Sequence, residues 1–219
     1  MNKLILLLII IIAIPSCGED QCFESFLFRF QTTNTLSTEE VSVGESFNII
    51  VEFPNMIMEQ KSGELEDVSD FPFIAAFTFK EFSSKSVKMS LHPMALDDFD
   101  VEVIEGSEMK PNFVVLATST ESHSFYCAPE HSSNGRSIEL KITPRKTGVF
   151  FIFLQNGTDL EHSTTVDFDD DDCIDTIYVD YSNVSANNYD FLEGDLQEPD
   201  DSQGDFLVNW SGIAFKVVE

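Results

Sequence analysis

"SIELKITPRKTGVFFIFL", residues 137–154, holds two β patterns separated by one turn. In its first half Ile138, Leu140 and Ile142 alternate with Glu139, Lys141 and Thr143, the period of two that gives a strand one buried and one wet face. Its second half, "GVFFIFL", is apolar without interruption, which predicts a strand covered on both faces. Between them "TPRKTG" supplies Pro144 and Gly148 as turn residues.

The same alternation recurs along the chain. In "SFLFRFQ" (25–31), Phe26, Phe28 and Phe30 share one face, and Leu27, Arg29 and Gln31 take the other. "FTFKEF" (77–82), "VKMSLH" (87–92), "DFDVEVIEG" (98–106), "TIYVDY" (176–181) and the closing "FLVNWSGIAFKVVE" (206–219) bring the total to about ten candidate strands. In the last of these Trp210 alternates with Phe206 and Val208, which predicts a place in the core. No stretch carries a useful helical period, although "PMALDDF" (93–99) has room for one turn. "EFPNMIMEQKSGELEDVSDFPF" (52–73) reads as a long loop and "EGDLQEPDDSQGD" (193–205) as an acidic one. Many short strands separated by Gly, Pro, Asn, Asp and Ser clusters predict an all-β protein, an antiparallel β-sandwich.

The order strand, "TPRKTG", aromatic strand resembles the corner between two late strands of immunoglobulin-like and fibronectin-like domains, with Gly148 where the chain turns back into the core. Phe150 and Phe151 stand where such corners carry a tyrosine. The resemblance implies an immunoglobulin-like or fibronectin-like sandwich.

The N-terminus addresses compartment. Lys3, the eleven apolar residues Leu4–Ile14 and the small Ser16 have the three zones of a secretory signal. A bilayer span needs ~20 residues, so this stretch is too short to stay in the membrane. Ile14, Pro15, Ser16 and Cys17 resemble the lipobox of bacterial lipoproteins. That resemblance implies cleavage before Cys17 and acylation of its thiol, enough lipid for stable anchoring. Gly18, Glu19 and Asp20 are similar to the surface-export signals of Bacteroidetes lipoproteins, which implies the outer membrane and its cell-surface face. The expected division is a signal peptide over 1–16, a lipidated acidic tether over 17–22 and a β-sandwich domain over 23–219.

Composition excludes one class of partner. The chain carries 12 Lys plus Arg against 39 Asp plus Glu, a net charge of −27. Loss of residues 1–16 removes Lys3 alone among charged groups, leaving 11 against 39, or −28. Nucleic-acid binding needs a basic footprint, so no nucleic-acid partner is expected. From Val149 to Glu219 there are seventeen acidic residues and one Lys, Lys216, a surface suited to cations or basic partners.

The densest polar group is "DFDDDDCID" (167–175), where Asp167, Asp169, Asp171 and Asp175 are candidate calcium ligands because calcium takes several carboxylate oxygens from a flexible loop. It is not an EF-hand, since Asp172 stands where the turn needs Gly and Tyr178 where the bidentate Glu belongs. A solvated acidic loop is the competing reading. If Cys17 carries lipid, Cys22, Cys127 and Cys173 allow three single bridges, and Cys127 with Cys173 is preferred because both lie within the folded region. His123, Cys127 and His131 have a spacing compatible with zinc, but lack a fourth ligand. "DTI" (175–177) is similar to the Bacteroidetes O-glycosylation pattern, which implies sugar on Thr176.

The sequence contains no G-x-S-x-G, no H-E-x-x-H and no phosphate-cradling glycine loop, so an enzyme is not expected. The resulting expectation is a membrane-anchored, non-enzymatic surface binding or accessory module with a protein or glycan ligand and no cofactor beyond the candidate calcium. The alternatives are a calcium-dependent adhesion or matrix module and a periplasm-facing structural or assembly subunit.

Overall fold

The computed structural model describes residues 23–82, 93–109, 124–132, 135–156, 174–183 and 212–219. These residues form strands β1 (Phe23–Asn34), β2 (Glu40–Ser42), β3 (Phe47–Phe53), β4 (Met56–Met58), β5 (Leu65–Asp67), β6 (Ala75–Glu81) and β7 (Phe99–Glu105). They continue with β8 (Ser107–Met109), β9 (Ser124–Ala128), β10 (Glu130–Ser132), β11 (Gly135–Pro144), β12 (Gly148–Asn156), β13 (Ile174–Asn183) and β14 (Gly212–Val218). The turn expected in "PMALDDF" is a single 3-10 turn, Leu96–Asp98. "VKMSLH" and Trp210 lie outside the described residues.

The first sheet runs β10-β11-β3-β1-β13, with β7 also on β11, and the second runs β2-β14-β12-β6-β9-β8. The alternation in the sequence sets the inner faces. Phe28, Phe30, Phe47, Ile49, Val51, Phe53, Ile138, Leu140 and Ile142 from the first sheet share one core with Phe77, Phe79, Phe150, Ile152 and Phe215 from the second. Rings meet across it: Phe47 and Phe215 at 5.0 Å, Phe99 and Phe150 at 5.0 Å. Each such ring removed from water contributes ~2–3 kcal/mol, so this layer is where the fold is held. β12 is buried on both faces as its apolar run predicts, with Phe151 and Phe153 packed beside Ala214 on the side away from the shared core.

Three expectations are corrected. The sheets are mixed rather than antiparallel, because β1 pairs β13 in parallel and β14 pairs β2 in parallel. Side-chain period tells which face a residue takes, not which way its neighbour runs. Fourteen strands occur among the described residues where about ten were expected, and five of them, β2, β4, β5, β8 and β10, have three residues each, too few to show a period. The segment 52–73 is not a loop throughout: β4 and β5 pair antiparallel, Met58 opposite Leu65.

One corner ties the sheets together. β7 lies on β11 in the first sheet, and one residue later β8 lies on β9 in the second. The return crossing follows Ala128, where Pro129 separates β9 from β10 and the chain re-enters the first sheet. Gly106 makes the outward crossing with φ +112°, and a Cβ there would lie 2.9 Å from Cys127 Sγ and 3.0 Å from the Ala128 carbonyl oxygen.

Candidate functional site

The outer face of the first sheet is polar by the same alternation that makes its inner face apolar. Register places Ser182, Gln31, Glu52, Ser137 and Glu130 in one row across β13, β1, β3, β11 and β10. Over the centre of this row opens a half-open cleft of about 590 Å³, lined by Arg29, Gln31, Glu52, Pro54, Gly135 and Ser137, with the buried Phe30, Phe53 and Arg136 completing its wall. That volume falls in the ordinary range for ligand sites, ~300–1,000 Å³. Gly135 fixes its end: with φ +145°, a Cβ would meet the Phe53 carbonyl oxygen at 2.9 Å.

The cleft offers Arg29 as a forked cationic donor, Gln31 and Ser137 as mixed donors and acceptors, and Glu52 as an acceptor. Its aromatic neighbours Phe30 and Phe53 are fully buried, stacked among Phe73 and Tyr181, and present no flat ring for a sugar. Such a lining suits an extended polar ligand with amide and carboxylate groups. The sequence marked Arg29 and Gln31 as outward. It could not mark them as a site, because only the register brings Glu52 and Ser137 alongside.

Two buried charged groups support the strands beneath. Arg136 Nη1 and Nη2 donate to the carbonyl oxygens of Phe71 and Val68, each at 2.5 Å, and its guanidinium lies 5.5 Å from the centre of the Phe73 ring. It therefore fastens the segment after β5 to the end of the first sheet. Glu59 accepts from Leu27 N at 2.7 Å on one oxygen and from Lys61 N at 2.8 Å and Ser62 N at 2.5 Å on the other. This carboxylate clamps the β4–β5 turn to β1. Burial pushes the Glu59 carboxyl up, and the hydrogen bonds from Ser62, Leu27 and Lys61 outweigh it, leaving the group below its ordinary 4.5. Both residues were missed in the sequence: Arg136 has the parity of the inward Ile138 and Leu140, whereas Glu59 falls in a stretch that reads as a loop.

Cys17, Asp167, Asp169, Asp171 and Cys173 lie outside the described residues. Asp175 is in β13, opposite Glu24 of β1. Thr176 follows it, opposite Ser25. Among the described residues no three His, Cys, Asp or Glu groups converge as a metal site. Cys127 is a free, fully buried thiol, and desolvation, with the nearby Glu130 and Glu108 charges, pushes it up to about 12. Cys127 sits in the second sheet and His131 in the first, so the spacing of four does not place them on one strand.

The Cys127–Cys173 bridge expected from the sequence has its second cysteine, Cys173, outside the described residues.

The described residues thus define an all-β protein of two mixed, open sheets with a polar cleft on one outer face. No protein-family model matches the chain, and no curated protein matches it.

Proposed function

We propose that the protein is an exported lipoprotein, anchored through Cys17 at the outer membrane and facing the cell surface, that serves as a non-enzymatic binding or accessory module. The observation that carries this reading is the lipobox-like Ile14–Cys17, which ends six residues before Phe23, the first paired residue of β1. Six residues reach at most ~21 Å even when fully extended, so an anchor at Cys17 keeps the domain near the bilayer surface. The outer-face cleft is the binding surface, and its polar lining without exposed rings favours a protein ligand over a glycan. An immunoglobulin-like sandwich is the finer fold reading. Its support is the β11–β12 corner, where "TPRKTG" carries the chain from the first sheet to the second and Gly148 packs against the Phe150 ring.

Cys17→Ala tests the anchor: acyl labelling and membrane retention should both disappear, and retention of the variant in washed membranes would remove the proposal. Protease treatment of intact cells then separates a surface module from the alternative of a periplasm-facing subunit. A calcium-dependent version draws support from the Glu24–Asp175 pairing, which sets two acidic residues side by side at the end of the Asp167–Asp175 segment. Heat on titrating calcium into the purified protein is the result that version requires.

A further inference from the structure

The β4–β5 hairpin packs one face and leaves the other bare. Ile57 joins the shared core, while Met56, Met58 and Leu65 are 45%, 56% and 62% exposed. Register puts these three together: Met58 stands opposite Leu65, and Met56 lies two residues along the same strand, on the same face. The other exposed large apolar residues among those described, Val43, Met94 and Ile104, come from three separate segments. Scattered apolar side chains are ordinary on a surface, whereas a contiguous group marks a contact. We propose that the face formed by Met56, Met58 and Leu65 is a membrane-contact surface, seated at the headgroup–acyl boundary of the zwitterionic phospholipid bilayer to which the chain is anchored.

The hairpin is held at the end of the fold where the chain enters. Gln60 N donates to the Leu27 carbonyl oxygen and Leu27 N donates to the Glu59 carboxylate, so the β4–β5 turn is fixed against β1 four residues from Phe23, ~13 Å by strand rise. Cys17 precedes Phe23 by six residues, a reach of at most ~21 Å, so acylation there holds this end of the molecule at the bilayer, a step that rests on the function proposed above. Ile104 and Val43 are at the other end. Ile104 lies between Val103 and Glu105, which pair with Leu140 and Glu139 in the rows of Asn34 and Thr33, ~33–36 Å from Phe23 along β1. Val43 adjoins Gly44, whose N–H donates to the Pro144 carbonyl oxygen, two residues past Ile142 and so beyond those rows. Met94 belongs to the second sheet, bridged to Lys80.

Charge selects the kind of lipid. Asp67 stands opposite Met56 and shares its face, no cation accompanies it there, and the chain as a whole carries −27. An anionic lipid surface attracts basic segments and repels a face and a chain of this sign, so zwitterionic lipid is the surface that fits. Methionine and leucine supply flexible apolar side chains with no N–H or O–H to satisfy, which suits the first ~5–10 Å below the headgroups. Three side chains do not hold a protein on a membrane by themselves, since stable anchoring takes a second signal. With acyl chains as the anchor, the hairpin sets orientation: the tether at Phe23 and the hairpin face are two points of contact, and together they determine which surfaces of the fold look away from the bilayer.

The methionines report their own covering, because oxidation to the sulfoxide follows exposure. The lipoprotein, purified from the exporting cell, is inserted into preformed phosphatidylcholine vesicles and treated with chloramine-T, a charged oxidant that stays outside the bilayer. Sulfoxide at each methionine is then read by mass spectrometry, with Met94, 39% exposed, as the internal reference. Relative to Met94, Met56 and Met58 should oxidise about tenfold more slowly on vesicles than in the vesicle-free Cys17→Ala protein, and equal ratios overturn the proposal. Protection that is already present in Cys17→Ala without vesicles and grows with protein concentration assigns the face to a second copy, and overturns it as well. Leu65→Glu changes an exposed position, so Tm and membrane retention should be unchanged while the protection of Met56 and Met58 is lost; protection that survives this charge counts against lipid contact. Acyl mass on the Cys17 peptide is read in the same spectra, so failure of the anchor is seen separately. In that event a histidine tag in place of residues 1–17, captured on the same vesicles through a nickel-chelating lipid, restores the reach without acylation, and unprotected Met56 and Met58 there overturn the contact itself.

Discussion

Glu59 shows at the scale of one residue how a buried charge is stabilised by geometry alone. Its two oxygens are filled by three backbone N–H groups, from Leu27, Lys61 and Ser62, so no cation is needed. Glu59→Ala leaves those donors in a partly buried place without an acceptor, and the expected loss is about 2–3 kcal/mol in urea unfolding at neutral pH. The sign with pH follows from the lowered carboxyl pKa. The stabilisation is fully present above the ordinary value of 4.5 and is lost as pH falls through the lower folded value. The stability gap between wild type and variant should therefore narrow in acid, and a gap that stays constant from pH 7 to about pH 3 would count against the clamp. Thr32 is the opposite case, a buried hydroxyl without a hydrogen-bond partner among the described residues. Thr32→Val keeps the shape and removes the unpaired group, so a gain of about 1 kcal/mol is expected from the same measurement. Parity continues the inward series of Phe28 and Phe30 to Thr32 and that of Ile138 and Leu140 back to Arg136, whereas Glu59 falls in a stretch that reads as a loop. Their partners were not legible in the sequence, since the Val68 and Phe71 carbonyls that hold Arg136 lie more than sixty residues away along the chain.

At the scale of the element, the long strands were legible and the junctions were not. β11, β12 and the inward phenylalanines of β1 follow from period and composition, because burying one face imposes that pattern directly. The three-residue strands carry no period. A sheet crossing is marked only by a single glycine or proline that could as well be an ordinary turn. Gly106 is the clearest such mark, as its positive φ and its closeness to Cys127 Sγ and the Ala128 oxygen both forbid a side chain. Gly106→Ala should cost about 2–4 kcal/mol by combining backbone strain with a clash against backbone. Gly44→Ala is the matching control, having a similar positive φ with nothing within 4 Å of its Cβ position, so only the strain of about 1–2 kcal/mol is expected. Equal losses at the two sites would show that the crossing is not tightly packed. The cleft stands on the same footing: its outward residues were legible one by one, and their assembly depended on strand order.

Across the whole molecule, charge has the widest reach. Side-chain period says nothing about strand direction, so the parallel pairs at β13 and β2 were outside what the sequence could specify, whereas the net charge of −27 needs no structure at all. Among the described residues Lys141, Arg145, Lys146 and Lys216 are already paired with Glu102, Asp100, Glu81 and Glu40. With 12 basic residues against 39 acidic ones, most carboxylates have no such partner, and the compact state carries their mutual repulsion. Sodium chloride screens both contributions, and the sign of its effect tells which is larger. Exposed pairs contribute little each, so relief of repulsion should win, and Tm should rise by about 3–6 °C between roughly 0.01 and 0.5 M salt. A fall in Tm over that range would mean that the surface pairs outweigh the repulsion. Calcium and magnesium at equal concentration screen alike, so a pure charge effect gives equal shifts for the two ions. A further rise with calcium alone would require ligands of fixed geometry, and Asp167→Asn with Asp169→Asn should abolish that excess while leaving the sodium chloride response in place.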